Sequence, residues 1–340
     1  MVVSQTSLSN SVISKKKKNV FLLGSQDEYR ILKTWSKNNS NSHFYINGWF
    51  HDKDIPASSD DLIRKYEEMA NNGSVDHFLL DPSDMDPEML QASIDWAESR
   101  GSRIHLIQSG TTTMTSKLDK MNRFGPFAAV RLRQEPLTLR RNQIKKRIFD
   151  LSLSVFVVFG ILWWFYPLIG LIIKLTSRGP IVISQDRIGI DGIRFMCVKF
   201  RTMVSDKSAE KGYSHLTSKD DHRITLIGKI LRKTNLDELP QFINVLFGYM
   251  SVVGPRPHMV SEDREIADEI DKYRIRRFVR PGITGLAAIN GYRGGTENLE
   301  LMQMRIDQDI KYIENWSLWL DIRISIITFW QMLTFRTGAY

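Results

Sequence analysis

The chain has 340 residues, 42% hydrophobic and 25% charged, which suits a soluble, core-forming protein of two ordinary domains and excludes a mini-protein or a multi-span carrier. Lysine and arginine outnumber the acids by 47 to 38, and the net charge of +9 points to an anionic partner: nucleic acid, a phosphorylated ligand or lipid headgroups. A single cysteine, Cys197, excludes an intrachain disulfide framework and a cysteine-rich zinc site, and fits a reducing compartment.

Residues 1–18 are rich in Ser, Thr and Asn, end in Lys15-Lys16-Lys17-Lys18 and lack the apolar stretch of a secretory signal. They read as a disordered basic tail with a cytoplasmic N-terminus. Over 19–137, apolar runs at Val20 to Ser25, Phe44 to Trp49, His77 to Asp81 and Arg103 to Ile107 read as strands. Asp60 to Asn71 and Asp86 to Arg100 read as helices, the second opened by a cap, a first-turn proline and an acid in Asp86-Pro87-Glu88. The alternation predicts a small doubly wound α/β domain. Its first turn, Gly24 to Tyr29, holds one glycine where a dinucleotide fingerprint needs three, so a structural or oligomerising role is expected over cofactor binding.

A change of character follows over 140–174. Arg140 to Arg147 packs five cations with no acid, the pattern of a juxtamembrane cluster that attracts anionic lipid, although such a run alone is a solvated helix face. Leu151 to Ile173 then carries no charge over twenty-three positions, enough to cross a bilayer core and hidden by the mean hydropathy of −0.25. Pro167, after Trp163-Trp164-Phe165-Tyr166, kinks or breaks a helix. Cations flank both ends, so the positive-inside rule chooses no side. A re-entrant hairpin turning at Tyr166-Pro167 is expected over a plain span or a hairpin in a soluble core, because four consecutive aromatics suit an interface.

The chemistry lies further on. Ser184 to Phe195 carries the Asp191-Gly192 turn of a β-hairpin and runs into Val198 to Met203. Lys199 and Arg201 alternate with Phe200 and would share one strand face, an arrangement for a diphosphate or for a solvated edge. Asp237 and Glu238 fall in the apparent first turn of a helix, just ahead of Pro240, where free backbone N–H groups favour negative charge. Asn235 and Glu238 also have the spacing of a capping box. Arg232 stands five residues upstream of Asp237. Gly254-Pro255-Arg256-Pro257 holds a guanidinium on a stiff loop, suited to bidentate phosphate binding. Arg280 to Gly285 makes another rigid turn near Arg274, Arg276 and Arg277, and Trp316 to Phe335 reads as an interfacial helix or as a packing helix of the core.

Taken in order, the blocks Lys146 to Asp150, Gly179-Pro180, Gln185-x-Arg187-x-Gly189, Lys199 to Met203, Leu236 to Gln241, Val253 to Pro257, Pro281 to Gly285 and Asn315 to Asp321 carry a resemblance. Together they are similar to the bacterial sugar transferases, monotopic polyprenyl-phosphate hexose-1-phosphate transferases, over Lys145 to Leu333. Residues 19–137 resemble the non-catalytic Rossmann-like domain of longer members, and Gly291 to Trp316 most resembles the undecaprenyl-phosphate glucose phosphotransferases. The resemblance implies a mixed α/β catalytic domain with interfacial helices over 175–335. It also implies a two-step reaction, in which a UDP-sugar loses UMP to form an aspartyl-phosphosugar that a polyprenyl phosphate discharges. Asp237 would be the nucleophile and Glu238 the Mg²⁺ ligand. Lys199, Arg201, Arg232, Gln241, Pro255, Arg256 and Pro257 would bind substrate, and Tyr166 and Pro167 would mark the membrane turn.

The implied setting is the cytoplasmic face of the bacterial inner membrane, at the start of exopolysaccharide, capsule or O-antigen synthesis. The implied partners are a UDP-sugar, polyprenyl phosphate and anionic lipid, with no nucleic acid and with a homodimer left open. Three positions depart from the pattern: Arg178 for a frequent proline, Asn235 for Ser or Thr, and Ala288 for a common glutamine. The last bears on hydroxyl recognition, so glucose is favoured as donor and galactose stays open. Two other classes compete. A nucleotide-sugar oxidoreductase or epimerase lacks the glycines it needs, and a non-catalytic membrane scaffold leaves the Asp237-Glu238 and arginine blocks unexplained.

Overall fold

The computed structural model describes residues 18–39, 44–56, 58–70, 73–83, 85–107, 123–204, 221, 223–293 and 298–334. Residues 1–17 of the expected basic tail lie outside the described residues, and Lys18 opens the first strand. The chain divides into two compact units, one ending at Arg133 and the other beginning at Gln134.

The first unit runs β1 (Lys18–Gly24), α1 (Gln26–Asn38), β2 (Phe44–His51), α2 (Ser59–Ala70), β3 (His77–Leu80), α3 (Pro87–Ser99), β4 (Arg103–Ile107), β5 (Arg123–Phe124) and β6 (Phe127–Arg131). Its sheet has the order β2-β1-β3-β4-β6-β5, parallel through the first four strands and antiparallel at β6 and β5. Strand side chains alternate between faces, so runs that are apolar at every position must be covered on both sides. Phe21, Leu23, Phe78 and Leu80 pack with Tyr66 of α2 and Trp96 of α3, whereas Val20, Leu22 and Leu79 pack with Leu32 of α1 and with Phe124 and Phe127. The start of α1 is closed by its own residues. The Glu28 carboxylate accepts from Ser25 N at 2.8 Å and Glu28 N donates back to Ser25 Oγ at 3.3 Å. A carboxylate therefore fills the helix terminus where a dinucleotide fold would seat a pyrophosphate.

The second unit opens with α4 (Arg140–Val155), which continues through a π-helical stretch, Phe156–Leu162, into α5 (Trp163–Thr176). Among the described residues this is the one helix long and apolar enough to cross a membrane. Tyr166 and Pro167 lie inside α5 rather than in a reverse turn. Trp164 Nε1 donates to Gly160 O at 3.0 Å within the altered hydrogen-bond ladder, and the Phe165 and Tyr166 rings rest on Phe200. An antiparallel hairpin, β7 (Val182–Ile188) and β8 (Arg194–Phe200), follows, with Asp191 and Gly192 in left-handed conformation at its turn. Next come α6 (Leu226–Lys233), a 3₁₀ turn at Leu236–Glu238, α7 (Gln241–Leu246), β9 (Ser251–Val253) and α8 (Val260–Glu269). A 3₁₀ segment, Tyr273–Phe278, leads to β10 (Gly282–Thr284), parallel to β9, then α9 (Leu286–Ile289), α10 (Leu299–Glu314) and α11 (Leu318–Leu333).

The basic run of α4 is divided by its own helical periodicity. Arg140, Arg141 and Lys145 are exposed. Lys146 points inward, where its Nζ donates to Asp321 Oδ2 at 2.7 Å and to Val253 O at 2.9 Å, and Arg147 donates to Val245 O and Leu246 O at 2.6 and 2.7 Å. Asp150 accepts from Val252 N and Ser251 Oγ, while Tyr312 OH and Trp316 Nε1 donate to Asp321. These bonds fasten α4 to β9 and α11. The same α11 exposes Trp319, Ile326, Phe329 and Trp330 while burying Asp321 and Ile324, and α4–α5 exposes Phe156, Phe159, Trp163 and Leu171.

Asp321→Ala is expected to cost about 3–5 kcal/mol, because the buried Lys146 ammonium loses its 2.7 Å partner and keeps Asp150 only at 3.6 Å, while Tyr312 OH and Trp316 Nε1 lose their acceptor. Lys146→Met combined with Asp321→Asn, which keeps an acceptor for Tyr312, should recover most of that loss. Unfolding of the detergent-solubilised chain measures both, and equal losses in the single and double variants would exclude the charge as the cause.

Candidate active site

Two adjacent carboxylates occupy a turn between α6 and α7. Asn235 adopts φ 55°, a left-handed conformation that Asn tolerates better than most residues, and this reverses the chain into the 3₁₀ turn. The expected capping box is not formed, since the Asn235 side chain makes no cap bond and Glu238 Oε1 instead accepts from Arg256 Nη2 at 2.9 Å. Leu239 is anchored in the apolar cluster with Leu231, Phe200 and Ile173, and Leu236 packs against it. The turn is thereby fixed to the core under α5.

Asp237 is 8% exposed and makes no hydrogen bond or ion pair among the described residues. Burial, with the Glu238 charge adding to it, pushes its carboxyl up to about 7, against the pull of Lys199, Arg232 and Arg256. Burial would also raise Glu238, but the Arg256 guanidinium outweighs it and holds that carboxyl below the usual range. Two neighbouring acids are thus driven apart, one readily protonated and one firmly charged.

The loop bearing Arg256 has little freedom. Proline lacks an N–H and the loop cannot bond itself, yet four successive carbonyls are tied by donors from elsewhere. Pro255 O accepts from Gly282 N at 2.9 Å, Arg256 O from Arg276 Nη2 at 2.7 Å, Pro257 O from Arg187 Nη1 at 3.3 Å and His258 O from Ile188 N at 3.2 Å. Gly254 and Gly282 stand back to back, and a β-carbon on Gly282 would come 2.1 Å from Gly254 N. Beneath lies a buried relay. Tyr273 OH donates to Asp263 Oδ1 at 3.0 Å, so its oxygen accepts from His258 Nδ1 at 2.8 Å, and His258 Nε2 is left to accept from Arg305 Nη1 at 3.3 Å. Arg276 Nε is pinned by Asp309 Oδ2 at 2.7 Å.

The predicted residues separate into groups. Glu238, Lys199, Arg232 and Arg256 all lie within electrostatic reach of Asp237. Arg232 Nε donates to Thr202 Oγ1 at 2.8 Å. Pro255 and Pro257 flank Arg256, and Gln241 is buried at the start of α7. Arg201 lies past the end of β8, and its guanidinium donates to Ser177 O, Ser177 Oγ and Arg178 O, which places it at the turn after α5. Tyr166 and Pro167 belong to α5. Sequence reasoning missed His258, Arg293, Arg305 and Asp309 as parts of the site's frame and assigned Arg187 and Arg276 no role, although Arg187 and Arg293 lie inside stretches it singled out and Arg276 lies beside one.

Magnesium takes oxygen ligands, commonly one or two carboxylates together with substrate phosphates. The Asp237-Glu238 pair among cations fits that donor chemistry. No group of three or more His, Cys, Asp or Glu side chains is gathered to hold a metal among the described residues.

A family model described as bacterial sugar transferase matches residues 141–335. The UDP-glucose:undecaprenyl-phosphate glucose-1-phosphate transferase of Klebsiella pneumoniae is 46% identical over 190 residues, 55% of this chain and 40% of that protein. Its namesake from Escherichia coli (strain K12) is 42% identical over 216 residues, 63% of this chain and 44% of that protein. An Aeromonas hydrophila protein named UDP-N-acetylgalactosamine-undecaprenyl-phosphate N-acetylgalactosaminephosphotransferase is 39% identical over 170 residues, 48% of this chain and 38% of its own length. The chain thus spans less than half the length of these relatives. Since the family match covers more than half of the chain and takes in the apolar helix, the carboxylate turn and the arginine loop, the chain belongs to the bacterial sugar transferase family.

Proposed function

We propose that the chain moves a hexose-1-phosphate from a UDP-sugar to undecaprenyl or another polyprenyl phosphate, with Asp237 as covalent nucleophile, to start exopolysaccharide, capsule or O-antigen synthesis. One observation carries the reading: a buried carboxylate with no bonding partner among the described residues, on a pinned turn near Lys199, Arg232 and Arg256. Buried structural carboxylates are bonded, as Asp150 and Asp321 are here; an unengaged one among cations is poised for an anionic substrate.

In the first step an Asp237 oxygen attacks the β-phosphorus of the donor. The bond from that phosphorus to the bridging oxygen breaks, its electron pair leaves with UMP, and an acyl phosphate bearing the sugar remains. In the second step a phosphate oxygen of the lipid attacks the same phosphorus. The acyl P–O bond breaks, the carboxylate is restored, and a polyprenyl diphosphate sugar is released. Lys199, Arg232 and Arg256 offset charge on the phosphate oxygens from fixed positions. Mg²⁺, held by Glu238 with Asp237, would supply further neutralisation of the diphosphate. Glucose is the donor named in the Klebsiella and E. coli relatives and is the reading favoured for this chain.

In this reading the apolar helix is a re-entrant membrane element that returns to one face by bending within its continuous length, at the π-helical stretch and Pro167, not by a hairpin turn, and it brings lipid phosphate to the site. Cations at both ends, Arg140, Arg141 and Lys145 before and Lys174 and Arg178 after, support a cytoplasmic position for each end and contact with anionic headgroups. Exposed aromatics on α4–α5 and α11 support burial in the bilayer surface. The first unit is assigned as a Rossmann-like regulatory or dimerising domain.

With UDP-glucose, Mg²⁺ and no acceptor, a hexose-phosphate mass adduct is expected on Asp237; undiminished UMP release by Asp237→Asn would sink the mechanism. Since only the ionised carboxylate attacks, UMP release should fall about tenfold per pH unit on the acid side of the Asp237 pKa, which is pushed up to about 7 without metal and would be drawn down by Mg²⁺. A raised carboxyl pKa favours the folded state most below the unfolded value of 3.8, and this contribution is lost as pH rises through about 7. Asp237→Asn should therefore abolish that part of the pH dependence of unfolding, and an unaltered dependence would contradict the assignment. For topology, cysteines replacing exposed Glu68 and Glu265 should both be labelled from the cytoplasmic side, whereas labelling from opposite sides would establish a full span.

A further inference from the structure

The cations around the carboxylate pair are mostly committed. Arg256 is paired with Glu238, Arg232 bonds Thr202, Arg187 bonds Gln185 and approaches Glu262, and Arg276 bonds Asp309. Arg293 differs. It makes no hydrogen bond or ion pair among the described residues, and its Nε is shut off from solvent with no acceptor. Burial works against its charge, Arg256 repels it and Glu238 attracts it. A guanidinium half-withdrawn from water and facing another guanidinium calls for an anion.

Its position is built rather than accidental. Arg305 Nε donates to Tyr292 O at 2.9 Å, holding the backbone one residue before Arg293, and Arg305 is itself seated against His258 in the relay under the Arg256 loop. Arg256, Ala288, Tyr292, Arg293, Arg305 and Asp309 line one cavity, with the Asp309 carboxylate offset by its pair with Arg276. The cations also divide in space. Lys199, Arg232 and Arg256 act on Asp237, whereas Glu238 feels Arg256, Arg293 and Lys199.

We propose that Arg293 and Arg256 form a second phosphate subsite, on the Glu238 side of the carboxylate pair. Two guanidinium forks on one cavity wall suit the oxygens of a phosphate monoester or of one phosphate of a diphosphate. Either the donor diphosphate or the lipid phosphate supplies that chemistry. Assigning the subsite to one of them rests on the transferase reading; the phosphate subsite itself does not.

The test uses the full chain in detergent micelles and begins with inorganic phosphate, followed by the rise in unfolding temperature. Arg293→Gln should weaken phosphate binding about tenfold or more, and Arg293→Lys, which keeps the charge without the fork, by less. Two half-reactions then identify the source. Slower UMP release without acceptor, with normal discharge of a labelled adduct by polyprenyl phosphate, assigns the subsite to the donor; normal release with slower discharge assigns it to the lipid. Wild-type phosphate binding in Arg293→Gln, with both half-reactions within about twofold, overturns the proposal. A wild-type chain that binds phosphate through Arg293 yet forms no adduct from any UDP-sugar overturns the transferase reading and leaves the subsite standing.

Discussion

A lysine and an aspartate buried together join the apolar helix to the catalytic frame. Lys146 on α4 and Asp321 on α11 meet at 2.7 Å, and Val253 O receives both Lys146 Nζ and Tyr312 OH. Val253 is the last residue before the Gly254-Pro255-Arg256-Pro257 loop. A buried pair of this kind adds little net stability, yet loss of one partner is costly, so it acts as a constraint on geometry more than as a source of energy. The apolar helix and the loop that presents a guanidinium are thereby referred to one point. Asp150, bonded to Val252 N, repeats the attachment one turn along α4.

The second constraint lies in the loop itself. Tying four successive carbonyls to four different donors leaves the loop little conformational freedom to lose on binding any ligand. Arg276 contributes twice, through Asp309 on one side and Arg256 O on the other. His258 must stay neutral for the relay to work, because a protonated ring would have no acceptor for Arg305. Burial, with Arg276 and Arg305 acting in the same direction, holds its pKa well below the ordinary histidine value. The relay therefore keeps its directionality across the pH range in which Asp237 ionises.

How much of this was legible in the sequence depends on the range of the signal. The Asp237-Glu238 turn and the proline-flanked Arg256 announce themselves locally, through turn chemistry and stiff backbone. The parallel strands of the first unit were readable because full burial on both faces leaves continuous apolar runs. Arg201 was misplaced beside Lys199 because period-two reasoning holds only within a strand, and β8 ends at Phe200. Lys146 and Arg147 looked like part of a lipid-facing patch because a linear charge run hides which residues a helix turns inward. His258, Arg305 and Asp309 gave no signal, since their meaning lies in contacts between segments 18 to 47 residues apart in the chain.

In the proposed reaction the excess of cations would have a role beyond holding phosphate. Desolvation already raises Asp237 toward neutrality, and a diphosphate placed beside it would raise it further by like-charge repulsion. A nucleophile cannot attack while it keeps its proton. Lys199, Arg232 and Arg256 act on the carboxylate, and in the proposed reaction they would act on the donor phosphates as well, offsetting with fixed charge the repulsion that substrate binding would create. Removing any one of them would therefore change the ionisation of Asp237 as well as the affinity for phosphate, and the two effects reinforce each other. Arg293 acts on Glu238 rather than directly on Asp237, so its loss would leave the direct pull of Lys199, Arg232 and Arg256 on the nucleophile in place.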